Sequence, residues 1–428
     1  MLRRTALLLL LVVMVLGVSA LSAQDDTVRV GVLTDQSGAL TIYGYELEYG
    51  FKLGLLYAAG IDPSEYESID AALADVTAGG RPVEVLVRDN AGDPDTAASQ
   101  ARELIEQEGV EILVGAPSSG VTVALQQVAL DYDVILFAAP GASPAITGAN
   151  FNVNTFRACR NTNQDFLAFA TYAQENLGNN FVILAADYEF GRSSAEGLEA
   201  IYSAIGINFV QDTIYAPLET TDFTPYIQQI LASGADVMLP IWAGDTTVTL
   251  YQQLDEFGVR DEMVVLGAFN SNDIVRVSAT PANLGDVSWI VYHYTAPQTE
   301  INDWLVEKHI EVYEDVPDLF TECGFATAQA LHAGLEATGG DTLPEAMIPA
   351  LEGAQWEGPK GTYYMRPGDH QALVPMYIVQ LDNFDDPDSR FYTVLYEAPA
   401  LEIAPPCEAP EERCAMNEEF MAEIAPES

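Results

Sequence analysis

The chain has 428 residues, which is enough for two or three domains that each bury a core. It carries 17 basic residues against 64 acidic ones, a net charge of −47, so nucleic acid and anionic membranes are poor partners for its surface. Only three residues are lysines, so most acids cannot be in ion pairs, and a saline habitat that screens their repulsion is a hypothesis.

Residues 1–23 read as a secretory signal peptide. Arg3 and Arg4 precede an apolar run from Ala6 to Val18, and small residues follow up to Ala23. The run is short for a membrane span, although an uncleaved anchor stays an alternative. No later segment has enough uninterrupted apolar residues to cross a bilayer. We therefore expect an exported, soluble mature protein, periplasmic or extracellular.

The first half alternates between strand and helix patterns, and right-handed crossovers predict a parallel sheet. Asp93, Pro94 and Asp95 give a cap, a first-turn proline and a favourable charge for one of the helices. A polar insertion at Asp62–Gly80 reads as a surface loop or short helix. The predicted elements are Val28–Leu33, a helix from Gly44 to Tyr57, Val83–Val87, the Asp93-capped helix, Ile112–Val114, the Ser119 helix and Val134–Phe137.

The pattern restarts after Phe156 and predicts a second unit of the same kind. Its elements are a helix from Asn163 to Leu177, strand Phe181–Ala185, helix Ser193–Ile205, strand Phe209–Thr213, helix Phe223–Leu231 and strand Val237–Leu239. Two successive doubly wound units favour two α/β lobes with a ligand cleft between them.

The remaining chain adds elements to these lobes. Helical patterns at Ile301–Tyr313 and Cys323–Ala337 lack an intervening strand, so we expect them to pack on an existing sheet. Tyr363–Met365 and Val374–Leu381 predict a hairpin pair. The Pro- and Glu-rich tail from Ala398 reads as an appendage.

Four cysteines are consistent with disulfides in an exported protein. Cys407 and Cys414 enclose a short loop and are expected to pair locally. Cys159 and Cys323 can pair only if the fold brings them together, which their spacing does not decide. No CxxC or HxxxH pattern favours a metal site.

The sequence Gly115-Ala-Pro-Ser-Ser-Gly120 lies between a predicted strand and a predicted helix. Backbone N–H groups of the first turn and the hydroxyls of Ser118 and Ser119 therefore converge at the carboxyl end of a strand, where a ligand carboxylate is expected. The alternative is plain helix capping by serine.

Several stretches, in this order and spacing, resemble the extracytoplasmic substrate-binding proteins of ABC importers, of the leucine/isoleucine/valine-binding type. The resemblance covers residues 28 to 395. It rests on Val30-Gly-Val-Leu-Thr-Asp-Gln-Ser-Gly38 with Tyr43-Gly44, Arg88 to Thr96, Gly115 to Gly120, Ala139-Pro-Gly-Ala-Ser-Pro144, Phe156-Arg157, Asp187-Tyr-Glu-Phe-Gly191 and Thr221-Asp-Phe-Thr-Pro225.

This resemblance implies a type I periplasmic-binding fold, with two Rossmann-like lobes joined by a three-strand hinge. Lobe 1 would comprise residues 27–154 and 296–355, and lobe 2 residues 155–295 and 356–398. Residues 399–428 would form the acidic tail. It also implies a monomer without cofactors that captures a small carboxylate-bearing ligand in the interlobe cleft, with a branched-chain amino acid as the first expectation, and delivers it to the permease of an ABC importer.

The family's ligand contacts map onto a defined set of positions. Ser119, with Ser118 beside it, would hold a carboxylate, and the loop from Ala139 to Ser143 would offer a carbonyl and a hydroxyl to an α-ammonium group. Family members often have threonine where Ala142 stands, so Ser143 is the substitute. The other candidate lining residues are Pro140, Tyr43, Phe190 and Trp242.

One departure bears on the ligand. The family acid that pairs with the ammonium would fall near Phe269, where no carboxylate stands. Asp245 and Asp273 are possible replacements, although a solvated surface role is the commoner one for an aspartate in so acidic a chain. If neither reaches the cleft, an aromatic or short-chain carboxylate or an amide replaces a branched-chain amino acid as the expected ligand, because a buried cation without a counter-charge is too costly.

An enzyme and a sensor are the two rival classes of protein. An enzyme has little support, because the four histidines are scattered and no nucleophile elbow, P-loop lysine or metal spacing occurs. A sensor that docks on a signalling receptor would use the same fold and cleft, so the residues cannot separate it from a transport protein.

Overall fold

A computed structural model describes residues 26–267 and 271–425. The predicted signal peptide and Phe269 lie outside the described residues. The described part contains two sheets that are parallel except for one edge strand, each flanked by helices, and two smaller antiparallel sheets. The predicted α/β class with two doubly wound lobes is confirmed.

The first sheet has the strand order β2-β3-β1-β4-β5-β6, and only β2 is antiparallel to its neighbour. Asp93 caps the third helix by accepting from the Thr96 N–H, and Gly109 ends that helix in the left-handed region, as its sequence predicts. The elements are β1 (Val28–Thr34), α1 (Thr41–Ala58), α2 (Ile69–Leu73), β2 (Thr77–Ala78), β3 (Arg81–Asp89), α3 (Pro94–Glu108), β4 (Ile112–Gly115), α4 (Ser119–Tyr132), β5 (Ile135–Ala138) and β6 (Thr155–Phe156).

The second sheet has the order β11-β10-β7-β8, and β9 also pairs with β7. The single strand predicted at Phe209–Thr213 is wrong, since the polar pair Gln211-Asp212 lies in the break between two short strands. The helix expected from Ser193 begins earlier, at Glu189. The elements are α5 (Thr162–Asn176), β7 (Asn180–Ala186), α6 (Glu189–Ala204), β8 (Asn208–Phe209), β9 (Ile214–Ala216), α7 (Thr224–Ala232), β10 (Val237–Ile241), α8 (Thr247–Glu256), α9 (Val259–Glu262), β11 (Val264–Val265), α10 (Asn272–Ser278) and β12 (Val287–Ile290).

The C-terminal third adds to both lobes. The predicted hairpin is wrong, because β14 pairs with β13 and β15, whereas β16 pairs with β12 and β17. The elements are α11 (Glu300–Tyr313), α12 (Thr321–Thr338), α13 (Pro344–Leu351), β13 (Gln355–Gly358), β14 (Gly361–Met365), β15 (Ala372–Leu373), β16 (Met376–Leu381), β17 (Tyr392–Ala398) and α14 (Glu411–Ile424).

Helix α12 packs mainly against helix α1 of the first lobe and not directly on a sheet, which is where it was expected. Two glycines of α1 permit this approach. A Cβ at Gly50 would lie 1.9 Å from the Thr321 carbonyl oxygen, and one at Gly54 would lie 2.4 Å from the Phe325 carbonyl oxygen. Any larger side chain at these positions would push the two helices apart.

The acidic tail is docked, which corrects its reading as an appendage. Cys407 and Cys414 form the predicted disulfide at the start of α14. Arg413 donates to Glu352 Oε1 at 2.6 Å and to the Gly368 carbonyl at 2.9 Å. Asn417 accepts from the Gly368 N–H at 2.6 Å. The tail therefore closes one side of the fold through charge-assisted contacts.

The chain passes between the two lobes after β6, after β12 and before β16. Arg157, on the first passage, is fully buried and donates to Gln371 Oε1, the Gly141 and Ser143 carbonyls and Thr147 Oγ1 at 2.7–3.0 Å. Its hydrogen-bond partners are carbonyl, amide and hydroxyl oxygens. A disulfide between Cys159 and Cys323, with Cα atoms 5.2 Å apart, ties this passage to α12.

Candidate functional site

The two lobes touch across the cleft in this structure. Tyr43 Oη on α1 accepts from the Gly244 N–H of the second lobe at 3.2 Å, and the Asp245 N–H donates to the Ala39 carbonyl at 3.0 Å. Ser143 Oγ lies 2.7 Å from Ser193 Oγ, on α6. These contacts define a closed arrangement.

A small cavity of about 20 Å³ remains between the lobes, roughly the space of one water molecule. Its described lining is apolar and aromatic except for one cation, Arg160, and includes no carboxylate. The lining residues are Leu40, Tyr43, Pro117, Pro140, Ala142, Arg160, Tyr188, Phe190, Ala243 and Phe320.

Arg160 was not singled out by sequence reasoning and is the main addition from the structure. Its side chain is 1% exposed, its Nε lies 3.2 Å from Asp165 Oδ1, and its guanidinium carbon lies 5.3 Å from the Phe320 ring centroid. Arg160 therefore has a counter-ion on one side and an aromatic partner on another. A signal was present in the sequence, because basic residues are scarce and Arg160 follows Arg157 closely.

The surroundings of Arg160 hold more buried cations than buried acids. Burial raises the pKa of Asp165 to about 6, although Arg160 and Lys360 oppose the shift. Burial lowers the pKa of Arg157 to about 9 and also lowers the pKa of Lys360, which pairs with Glu322 at 3.4 Å. The buried Arg366–Asp369 pair also acts on Arg157, so four cations face three carboxylates among the described residues of this group, and an arriving anion is favoured here over a second cation.

The two serines of the Gly115–Gly120 motif differ in role. Ser118 caps α4 by accepting from the Val121 N–H at 3.4 Å, the plain capping alternative. Ser119 is fully buried, and its Oγ accepts from the Ser143 N–H at 3.2 Å. Neither serine is among the described residues that line the small cavity, although Ser119 bonds to the Ala139–Ser143 loop that lies at it.

The loop from Ala139 to Ser143 lies at the cavity, with Pro140 and Ala142 in the lining. Several of its polar groups, however, are already engaged. The Ala142 carbonyl accepts from the Thr162 N–H at 3.1 Å, and Ser143 Oγ contacts Glu189 Oε1 at 3.1 Å as well as Ser193. The contact expected between Ser143 and a ligand ammonium therefore competes with inter-lobe hydrogen bonds.

The predicted aromatic positions divide. Tyr43 and Phe190 line the cavity, and the ring of Tyr43 meets Phe320 edge-on at 4.9 Å. Trp242 is a correction: it lies in the core of the second lobe, packed on Phe223 at 5.1 Å. Its neighbour along the strand end, Ala243, faces the cavity instead.

Neither replacement acid lines the cavity. Asp245 is exposed at its rim, and partial burial together with nearby Asp35 raises its pKa. Asp273 lies in the first turn of α10 and pairs with Arg276 at 2.8 Å. Asp273 is therefore used in a surface ion pair, as the commoner role of such residues suggests.

No described helix is long and apolar enough to cross a membrane. Within residues 26–267 and 271–425, no group of three or more His, Cys, Asp or Glu side chains could hold a metal ion.

Two α/β lobes that enclose a small recognition site define a two-lobed ligand-binding protein. The family model described as periplasmic binding protein matches residues 27–386. The chain belongs to this family, whose members are substrate-binding transport proteins of ABC systems.

Individual relatives agree. A Leu/Ile/Val-binding protein homolog 6 from Brucella melitensis is 24% identical over 379 residues, covering 87% of this chain and 92% of that protein. A periplasmic binding protein from Burkholderia mallei superposes with a TM-score of 0.80 at 20% identity, covering 91% of this chain and 99% of that one. A solute-binding protein of an ABC transporter from Rhodopseudomonas palustris BisB5, in complex with 3,4-dihydroxybenzoic acid, superposes with a TM-score of 0.75 at 21% identity, covering 88% and 98%.

Proposed function

We propose that this protein is an exported solute-binding protein that captures a small carboxylate without an amine, aromatic or short-chain aliphatic, and delivers it to an ABC importer permease. The supporting observation is the cavity lining, in whose described part Arg160 is the one charged residue among apolar and aromatic side chains. Such a lining suits an anionic head and an apolar body. An α-ammonium group would bring a second cation beside Arg160 without a lining acid.

The proposed contacts follow from this placement. Arg160 supplies the counter-charge, the Ser119 hydroxyl donates to the same carboxylate, and Tyr43 and Phe190 cover the ligand body. A lone carboxylate on an aromatic ring would thus be held at one end and packed at the other.

Binding would require the lobes to separate, since the closed cavity of about 20 Å³ is smaller than any such solute. The Tyr43–Gly244 and Ala39–Asp245 contacts would break on opening and reform around the ligand. A shift from 1:99 to 99:1 in favour of the closed form needs roughly 5.5 kcal/mol of differential binding. One charge-assisted pair and a buried ring can supply this.

The wider assignment rests on the family. We propose that residues 1–23 are a signal peptide that is cleaved and that the mature protein is a monomer, periplasmic or extracellular. Lobe 1 would comprise residues 27–154 and 296–355, and lobe 2 residues 155–295 and 356–398. A sensor that docks on a signalling receptor would bind the same ligand, and only its partner would differ.

A branched-chain amino acid is the second candidate. The Brucella relative is named for leucine, isoleucine and valine binding, which favours this class. The ammonium would then need an acid, and Asp245 is the described carboxylate nearest in sequence to the lining residue Ala243. The Rhodopseudomonas protein shares the fold and is bound to 3,4-dihydroxybenzoic acid, an aromatic carboxylate of the first candidate class.

The test is a thermal-shift and calorimetric comparison of four probes: benzoate, isovalerate, leucine and benzamide. We expect benzoate or isovalerate to raise the melting temperature, with about 2.7 kcal/mol of stabilisation at one hundred times Kd. Benzamide has the same ring without the charge, so it isolates the role of the carboxylate. A response to leucine alone, or an equal response to benzamide and benzoate, would overturn the proposal.

A further inference from the structure

A second and larger cavity of about 280 Å³ lies at the lobe contact, outside the site described above. Its walls are α1 and the α11–α12 connection from the first lobe, and α10 from the second. Because α10 completes it, the cavity exists only when the lobes are in contact. Nothing in the proposed carboxylate site uses it.

The cavity is strongly acidic. Glu46 Oε2 accepts from the Phe320 N–H and Asp318 Oδ2 accepts from the Asn272 N–H, both at 2.7 Å. Asp273 and Asp315 share one cation, Arg276, at 2.8 and 3.4 Å. Four carboxylates therefore face one guanidinium. Burial first, and then repulsion from neighbouring carboxylates, raises the pKa values of Glu46 and Asp318.

Aromatic rings form another wall. Tyr49 stacks on Tyr313 with centroids 3.8 Å apart, and Tyr45 lies 5.9 Å from Tyr49. The ring of His309 is 5.0 Å from Tyr313. Aromatic faces beside carboxylates are the surroundings that attract organic cations.

Buried polar atoms in the lining lack partners among the described residues. They are Asn272 Nδ2, His309 Nε2 and Tyr313 Oη. Asn272 is 2% exposed and His309 is 5% exposed. His309 Nδ1 lies 2.7 Å from the Asp315 carbonyl, to which it donates, and burial lowers its pKa, so Nε2 carries an unused lone pair. An N–H donor in the cavity would satisfy it.

We propose that this cavity binds an organic ammonium cation that carries at least one N–H group. The charge would meet Glu46 and Asp318, the N–H would meet His309 Nε2, and the apolar part would pack on Tyr49 and Tyr313. A metal ion does not fit, because no described set of acids and histidines could hold one.

The experiment is calorimetric titration of the mature protein with ethylammonium chloride at constant ionic strength, against sodium chloride as a blank. Glu46→Gln keeps an oxygen that can accept from the Phe320 N–H, so it preserves the fold contact, and it removes the ionisable carboxyl group that would pair with the ammonium. Tyr49→Leu removes the aromatic face. Asp303→Asn, an exposed acid of α11 outside the cavity, is the charge-matched control.

We expect saturable ethylammonium binding that weakens at least fivefold in Glu46→Gln and in Tyr49→Leu and is unchanged in Asp303→Asn. Absence of saturable heat, or equal weakening in Asp303→Asn, would overturn the proposal, since the effect would then be general charge screening. Benzoate titration of the same variants tests the proposed carboxylate site separately. Benzoate binding can be present or absent whatever the result with ethylammonium, so failure of one proposal is distinguishable from failure of the other.

Discussion

The two inter-lobe cavities have opposite charge although they are neighbours: Phe320 lines the smaller one and the next residue, Thr321, lines the larger one. The smaller one is lined by apolar and aromatic groups around Arg160, whereas the larger one has four carboxylates around Arg276. The protein has few basic residues, and it buries Arg157, Arg160 and Lys360 near the passages between the lobes. A chain of net charge −47 thus keeps one interior region positive by excluding acids from the lining and not by adding many cations.

The largest expected effect comes from removing the cation of the smaller cavity. Arg160→Leu should weaken benzoate binding by about 100-fold or more, because it removes a desolvated charge pair. It also leaves Asp165 buried without this partner, so a stability loss of about 3–5 kcal/mol is expected from such a change. Calorimetry and urea unfolding of the same samples measure both effects.

Arg192→Leu is the matched control for that change. Arg192 is an exposed arginine of the second lobe that pairs with Asp187, and its side chain is 54% accessible. We expect its affinity for benzoate to stay within twofold of the parent. Similar losses in both variants would show that overall charge, and not the Arg160 cavity, determines carboxylate binding.

The next effect concerns the Ser119 hydroxyl, which we propose donates to the same carboxylate. Ser119→Ala should weaken carboxylate binding about tenfold, through loss of a charge-assisted hydrogen bond worth roughly 1.5–3 kcal/mol. Ser118→Ala should instead lower stability by about 1 kcal/mol, because Ser118 caps α4. Unchanged affinity in Ser119→Ala would remove that residue from the site.

The acidic cavity should make the stability of the protein depend on pH through Asp318. The pKa of Asp318 is raised in the folded protein, mainly by burial, so the native state holds a proton that the unfolded chain has already lost. Native stability from this group is therefore lost as the pH rises from the ordinary carboxyl range towards neutrality. Asp318→Asn, which mimics the protonated form, should gain stability relative to the parent between pH 4 and pH 8, as followed by melting temperatures. A constant difference across that range would contradict the raised pKa.

The sequence was sufficient for the architecture because periodicity and capping are local. The Asp93 cap, the Ser119 helix and the parallel first sheet are all as predicted. The predicted pairing of Tyr363–Met365 with Val374–Leu381 was wrong because β14 pairs with its chain neighbours β13 and β15, whereas β16 pairs with the distant β12, a long-range contact that sequence spacing does not encode. The prediction that Trp242 lines the cavity was wrong by one residue. Near the end of a strand, successive side chains point to opposite sides, so Trp242 packs in the core and Ala243 lines the cavity.

The candidate site was less predictable. Tyr43, Phe190, Pro140 and Ala142 were placed at the cavity from the family resemblance, but Arg160 was missed. The scarcity of basic residues makes every arginine in the sequence notable, but only the packing against Asp165 and Phe320 shows that Arg160 is buried. The second cavity was missed altogether, because its walls come from three distant parts of the chain.

Salt should affect the exposed charges, which act on stability, more than the buried charges, which act on ligand affinity. The exposed acids repel one another across solvent and are screened within a Debye length of about 8–10 Å at moderate ionic strength, whereas the buried Arg160–Asp165 pair is screened much less. Added sodium chloride should therefore raise the melting temperature while changing benzoate affinity by less than about threefold, within the range of effects on well-desolvated contacts. Differential scanning fluorimetry and calorimetry across one salt series measure both quantities. A flat melting temperature would mean that surface repulsion does not limit stability, and a steep loss of affinity would mean that the carboxylate is held by exposed charges outside the Arg160 cavity.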